Sequence, residues 1–151
     1  MKFSTRTIYG LKAVLVLASR FGEGSLSVSQ IAKKEGISVS YLEQILNSLK
    51  RRGFVKSVRG PQGGYVLAKK PSEISLKMLF VALIDKNFFE RAPELRITAQ
   101  SDEVSIANGL FWQTMKTSLE KGLSQTTLKD LVDEARTLKK SKSPNNHSFQ
   151  I

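Results

Sequence analysis

A mainly α-helical fold with one small β-hairpin wing is the architecture this sequence predicts: a winged helix-turn-helix followed by a helical element. Three observations predict it. Ile37 to Tyr65 reads as a capped amphipathic helix, a basic run, a glycine stop and then two short β-like runs around a tight basic turn. The charge is divided unevenly: residues 1–72 hold 13 Lys/Arg against 3 acids, whereas residues 73–151 hold 11 against 10. A late helical stretch carries an apolar face broader than a small domain normally buries. These divide the 151 residues into a basic winged helix-turn-helix at 1–72, a linker helix, loop and dimerisation helices at 73–137, and a disordered basic tail at 138–151.

The first helix is expected from Ser4 to about Gly22, capped by Ser4 or Thr5. Ile8, Leu11, Val14, Leu15, Ala18 and Phe21 recur at three- and four-residue spacing and are expected to line its buried face. Gly22-Glu23-Gly24 breaks it. Ser27-Val28-Ser29-Gln30 reads as a capping box for a second helix, in which the serine accepts from an orphan amide while Gln30 reaches back. Val28, Ile31 and Ala32 face inward, Glu35-Gly36 makes a tight turn and Ile37 plugs the core. Ser38 opens the third helix, to about Arg52, buried through Leu42, Ile45, Leu46 and Leu49. Short helix, glycine turn and second helix make the helix-turn-helix pattern.

The other face of the third helix carries Ser40, Tyr41, Glu43, Gln44, Asn47, Ser48 and Arg51. Such groups bond phosphates and base edges, and a glutamine or asparagine can bond adenine bidentately in the major groove. Phe54–Val58 and Tyr65–Ala68 are the wing strands. Arg59 stands in the turn between them, where a narrow basic tip suits the minor groove. The glycines of this turn do not read as a nucleotide-binding loop, because no Gly-Lys-Ser/Thr follows and no helix begins there.

Lys69-Lys70-Pro71 closes the basic half. Ser72 and Ser75 can cap a fourth helix to about Ile84, with Leu76, Leu79, Phe80, Leu83 and Ile84 on one face. Asn87 to Glu103 is expected to be irregular, with Phe88 and Phe89 as core plugs. A fifth helix, about Val104 to Gly122, carries Ile106, Ala107, Leu110, Phe111, Met115 and Leu119, with Trp112 widening the stripe. Homodimerisation through Ile106, Leu110, Phe111, Trp112, Met115 and Leu119 follows as the expectation, with Gly109 allowing close helix approach. Thr126 or Thr127 caps a sixth helix bearing Leu128, Leu131, Val132 and Ala135.

Composition excludes several classes. There is no cysteine, so there is no disulfide, thiolate metal site or cysteine nucleophile, and the one histidine, His147, lies in the tail. No triad, nucleophile elbow or metal cluster is visible, so an enzyme is not expected. No apolar run is long enough to span a bilayer and no secretory signal is visible, which makes a cytoplasmic protein without membrane association the expectation.

The runs Ser38-Val39-Ser40-Tyr41-Leu42-Glu43-Gln44 and Val58-Arg59-Gly60-Pro61-Gln62-Gly63-Gly64-Tyr65 carry a family resemblance. The chain resembles the IscR/NsrR/CymR (Rrf) family of bacterial winged-helix transcription regulators over roughly residues 1–135. Tyr9 in the first helix and the segment from Leu110-Phe111-Trp112 to Leu131 agree with it. The resemblance implies a homodimer, acting as a repressor on palindromic double-stranded DNA. Recognition helices would enter successive major grooves and wings the adjacent minor grooves. Carried over by position, Ser38, Ser40 and Tyr41 would anchor phosphates, Glu43 and Gln44 would face base edges, and Arg59, Gly60 and Pro61 would form the wing tip. Thr5, Arg6, Tyr9 and Arg51 complete the expected DNA-binding set.

Many members of that family hold an iron–sulfur cluster on three cysteines in the loop before the dimerisation helix. Here that loop has none, the dimerisation helix has no histidine, and Ile8 stands where some members place an acid. Glu90, Glu94, Asp102 and Glu103 are poor substitutes for soft thiolates. No cysteine-ligated cluster and no other cofactor are therefore expected. The signal is left open between an effector protein, a small molecule in the dimer cleft, and none. The alternative function is a winged-helix module that binds an acidic protein partner.

Overall fold

The computed structural model describes residues 3–84, 86–91 and 93–142. Its elements are α1 (Thr5–Ser19), α2 (Val28–Glu35), α3 (Val39–Arg51), β1 (Val55–Val58), β2 (Gly64–Leu67), a 3-10 turn (Pro71–Glu73), α4 (Leu76–Leu83), α5 (Phe88–Arg91), α6 (Glu103–Gln125) and α7 (Leu128–Lys142). This is the mainly helical winged fold expected, with β1 and β2 as one antiparallel hairpin in the register Val55↔Leu67 to Val58↔Gly64.

The helix starts follow local chemistry. Ser4, Ser27, Ser38, Ser75 and Asp102 each cap a helix by accepting from the amide three residues on. The Ser27–Gln30 capping box is complete in both directions. Gly36 ends α2 in the left-handed region at φ +66°, and Ile37 turns in behind it.

The buried side of α3 is the predicted one: Leu42, Ile45, Leu46 and Leu49 are all at most 2% exposed. Each contributes about 1.5–3 kcal/mol on burial. The buried side of α1 is the predicted one only in part: Val14 and Ala18 are buried and Leu15 is half-buried against the core. Ile8, Leu11 and Phe21 are exposed, and the core-facing residues are Gly10, Ala13, Val14, Val16, Leu17 and Ala18. The physical reason is helix approach. A Cβ at Gly10 would lie 2.9 Å from Leu83 Cδ2 and 3.6 Å from Ile45 Cγ2, so the smallest residues of α1 face its neighbours.

The core does not stop at residue 72. Ile74, Leu79, Leu128 and Val132 belong to the same buried cluster as Val14, Ile31 and Leu46. Leu76 N donates to Thr126 O at 2.9 Å and Leu128 N to Ile74 O at 2.8 Å, stitching the start of α7 to the segment before α4. Arg136 then donates to Ser19 O at the end of α1, 2.9 Å away. The last helix thus returns to the first. It also continues through Lys142, past residue 138 where a disordered tail was expected. Residues 143–151 of that expectation, His147 included, lie outside the described residues.

The connector is partly ordered. It contains α5, with Phe89 buried and the rings of Phe80, Phe88 and Phe89 packed at 5.1–5.7 Å between centroids. Lys77 Nζ lies 5.4 Å from the Phe89 ring centre and pairs with Glu120 of α6. Gly109 admits a close neighbour, but the neighbour is Leu95 of the connector rather than a helix: a Cβ there would lie 2.7 Å from Leu95 Cδ1. Among the described residues no helix is long and apolar enough to cross a membrane.

Candidate nucleic-acid interface

The polar side of α3 and the wing form one continuous face, held by contacts that the sequence did not announce. Tyr65 exchanges two backbone hydrogen bonds with Leu26, at 3.0 and 2.8 Å, so the segment before α2 adds a single-residue rung beside β2. Gly64 is what permits this approach. A Cβ there would lie 2.1 Å from Leu26 O. Tyr65 Oη donates to Asn47 Oδ1 at 3.4 Å, and Lys50 Nζ donates to Ser57 Oγ at 2.8 Å. Both bonds tie the hairpin to α3. Ser25 Oγ donates to Gln62 O at 2.6 Å, steadying the turn. The turn itself is closed by Gly63 N to Gly60 O at 2.9 Å, with Gly60 at φ +118°.

On this scaffold the cap Ser38 and Ser40, Glu43, Gln44 and Arg51 of α3 stand exposed, as do Arg59, Gly60 and Pro61 at the wing tip. Thr5 and Arg6 are exposed at the start of α1. Tyr9 and Tyr41 are half-buried and meet edge to face, 6.0 Å between ring centres, which joins α1 to the first turn of α3. Ser38 Oγ accepts from Tyr41 N at 3.3 Å, leaving its own proton free to donate outward. Asn47, which sequence reasoning grouped with Gln44 as a base reader, is engaged by Tyr65. Both side chains are exposed, but the Tyr65 bond occupies Asn47 Oδ1, whereas Gln44 makes no hydrogen bond among the described residues.

The electrostatics favour a polyanion on this face. Of the three acids in residues 1–72, Glu35 is within 3.7 Å of Lys12 and Glu23 pairs with Arg20. Glu43 makes no ion pair among the described residues. An unpaired carboxylate turned toward a polyanion costs energy unless it meets a donor such as a cytosine amino group. The positioning roles of Leu26, Asn47, Lys50, Ser57 and Tyr65 were not legible in the sequence: Asn47 stood out only as a polar residue of α3, and Tyr65 only as the end of the Gly-Gly-Tyr run.

A second exposed face belongs to α6. Leu110, Phe111 and Leu119 are exposed, Phe111 at 61%, while Ile106, Trp112 and Met115 are half-buried. Trp112 packs edge to face on Phe111, with ring centres 5.3 Å apart. The described chain covers this face only in part and leaves Leu110, Phe111 and Leu119 open.

An iron–sulfur cluster does not fit the donor set. The chain has no thiolate, and among the described residues no group of three or more His, Cys, Asp or Glu is placed to hold a metal ion.

The family model described as "Rrf2: Iron-dependent Transcriptional regulator" matches residues 3–134. The HTH-type transcriptional regulator IscR of Pectobacterium atrosepticum is 31% identical over 138 residues, covering 91% of this chain and 83% of that protein. The HTH-type transcriptional regulator CymR of Bacillus subtilis is 35% identical over 132 residues, covering 87% and 90%. Among solved structures, CymR, described as the global cysteine regulator of B. subtilis, superposes with a TM-score of 0.69 at 33% identity, over 89% of this chain and 98% of its own. T. potens IscR superposes with a TM-score of 0.71 at 32% identity, over 99% and 97%.

Proposed function

The chain belongs to the Rrf2 family of transcriptional regulators, a DNA-binding and non-enzymatic role; from that premise, we propose that it acts as a cytoplasmic homodimeric repressor on a palindromic operator, without a cysteine-ligated iron–sulfur cluster. The observation that carries this reading is the continuous face of α3 and the wing, polar and basic, and fixed by the Tyr65–Asn47, Lys50–Ser57 and Leu26–Tyr65 bonds. Ser38, Ser40 and Tyr41 anchor phosphates, with Thr5, Arg6, Tyr9 and Arg51 extending the backbone contacts. Glu43 and Gln44 meet base edges, and the Arg59–Pro61 tip enters a minor groove.

The uncovered strip on α6 supports the dimer, because a two-fold pairing removes Leu110, Phe111 and Leu119 from water on both copies at once. Two α3 helices so related read half-sites about 34–36 Å apart, or a multiple of that. The absence of cysteine supports the cluster-free reading, although the family is described as iron-dependent. A winged helix that binds only protein is not retained, since the relatives are named transcriptional regulators.

Two measurements test it. In operator-binding titrations, Gln44→Ala relaxes base preference by about 1–3 kcal/mol where its contact is bidentate, and Arg59→Ala weakens binding most at sites with a narrow minor groove. Variants that bind all sequences as the parent does would contradict the assigned contacts. Anaerobic reconstitution with iron and sulfide leaves the visible spectrum blank, and a stoichiometric cluster band would overturn the cluster-free reading.

A further inference from the structure

A cavity lies beside the α3–wing face. It has a volume of about 330 Å³ and is walled by the start of α1, the second half of α3 and the end of α4. Three cations line it, Arg6, Arg52 and Lys86, and no carboxylate of the described residues does. A shallower groove of about 600 Å³ shares Arg52, Val81, Ala82 and Lys86 with it and runs on over Phe54 and Met78. Lys77 stands at that end, already paired with Glu120.

The polar groups around the cavity can be sorted by proton. Thr7 Oγ1 donates to Leu83 O at 2.7 Å, so in the 2.9 Å Ser4–Thr7 hydroxyl pair Ser4 is the donor. Both hydroxyl protons are therefore spent. Arg52 gives one N–H to Ala82 O, which pins the guanidinium against the end of α4 and leaves its other donors available. Arg6 and Lys86 make no ion pair among the described residues, and the half-buried Ser48 hydroxyl, also in the wall, makes no hydrogen bond among them. Three like charges around one cavity repel one another, and an oxyanion relieves that repulsion while a fixed guanidinium orients it. A phosphate alone would leave the Phe54–Met78–Val81 floor bare.

We propose that this cavity and groove bind a small organic oxyanion, a phosphate ester or carboxylate with an apolar body, as an effector. The charged head lies among Arg6, Ser48, Arg52 and Lys86, and the body lies on Met78 and Val81. A volume near 330 Å³ is within the range of small-molecule sites. Its consequence for regulation rests on the DNA-binding reading above, because Arg6 belongs to that proposed surface. An anion held there withdraws a cation from the backbone contact and lowers operator affinity. A DNA phosphate is the other source of the same head group, but it brings no apolar body to the groove.

The test separates the two sources and does not depend on the operator. The full-length protein, free of DNA, is titrated with phenyl phosphate, inorganic phosphate and phenol at constant ionic strength, with backbone amide NMR shifts as the readout. Phenyl phosphate is expected to give saturable shifts at Ser48, Arg52 and Val81–Ile84, to bind more tightly than inorganic phosphate, and to lose about tenfold in affinity in an Arg6→Gln/Lys86→Gln double variant. Both substitutions are at exposed positions, so the spectrum of the unliganded variant checks that the fold is intact. Linear shifts, shifts unchanged in the variant, or saturable shifts with phenol alone would overturn the proposal. So would cavity shifts produced by duplex DNA but not by phenyl phosphate, which would return the cations to the DNA backbone.

Discussion

Two helices of this chain carry apolar residues that the chain treats oppositely. Along α3, Leu42, Ile45, Leu46 and Leu49 are closed off by α1, α2 and the hairpin, to 2% exposure or less. Along α6, Val104, Leu110, Phe111 and Leu119 stand 38–77% exposed. A sequence pattern states that a helix has an apolar side. It does not state which molecule covers that side. The first stripe builds the scaffold for the proposed DNA face, and the second is the proposed seam between two copies.

The largest expected effect contrasts the two stripes. Leu46→Ala leaves a cavity in the closed core and is expected to cost about 2–5 kcal/mol in chemical denaturation. Phe111→Asp changes the stability of the separated monomer by less than about 0.5 kcal/mol, and in sedimentation equilibrium it shifts the chain from dimer to monomer. A Phe111→Asp monomer that unfolds as readily as the Leu46→Ala variant would mean that the α6 strip is part of the core.

Next comes the fastening of the wing. Gly64→Ala forces a methyl group against Leu26 O. It is expected to cost about 1–3 kcal/mol, with loss of exchange protection at the Leu26 and Tyr65 amides. An equally stable variant with both amides protected would show that the rung is slack.

Helix starts give a smaller effect. Ser27→Ala removes one half of the capping box and is expected to cost about 1 kcal/mol globally, because α2 is part of the cooperative core. Asp102→Ala removes the cap of α6, whose first turn touches little, and is expected to fray that turn in hydrogen exchange while the global midpoint holds. A matching global loss in both variants would erase the contrast.

The smallest effect is on pH dependence. The hydroxyl and amide of Ser105 hold Asp102 below its ordinary 3.8, and the amide and hydroxyl of Thr127 do the same for Asp130. The hydrogen bond and charge of Lys77 hold Glu120 below its ordinary 4.5. Depressed carboxyls stabilise the fold above their unfolded pKa values, and that contribution is lost as pH falls through the folded ones. A helical signal from α6 and the start of α7 that holds at neutral pH and declines in acid, from the ordinary carboxyl range downward, is therefore expected, and a decline already present near neutral pH would contradict it.

The sequence made some of this legible and hid the rest for physical reasons. The α2–α3 unit was readable because caps, periodic leucines and a left-handed glycine are all local signals. The Leu26–Tyr65 rung was not, because a single pairing between distant segments leaves no periodicity. The buried side of α1 is only half legible: Val14 and Ala18 follow the apolar spacing, whereas Gly10 and Ala13, which face the core where helices come closest, carry no large apolar signal. The return of α7 to α1 was hidden because Leu128 and Val132 say only that a helix is amphipathic. The polar face of α3 is legible, yet the bond from Tyr65 that sets Asn47 apart from Gln44, both of them exposed, needs the hairpin in place.

The most direct test of the central claim is selection of bound fragments from genomic DNA by the purified protein at physiological salt, with the protein-to-site ratio measured on the recovered sequence. A palindromic site holding two protomers is the predicted result. Equal recovery of all sequences, or one protomer on a non-palindromic site, would contradict it.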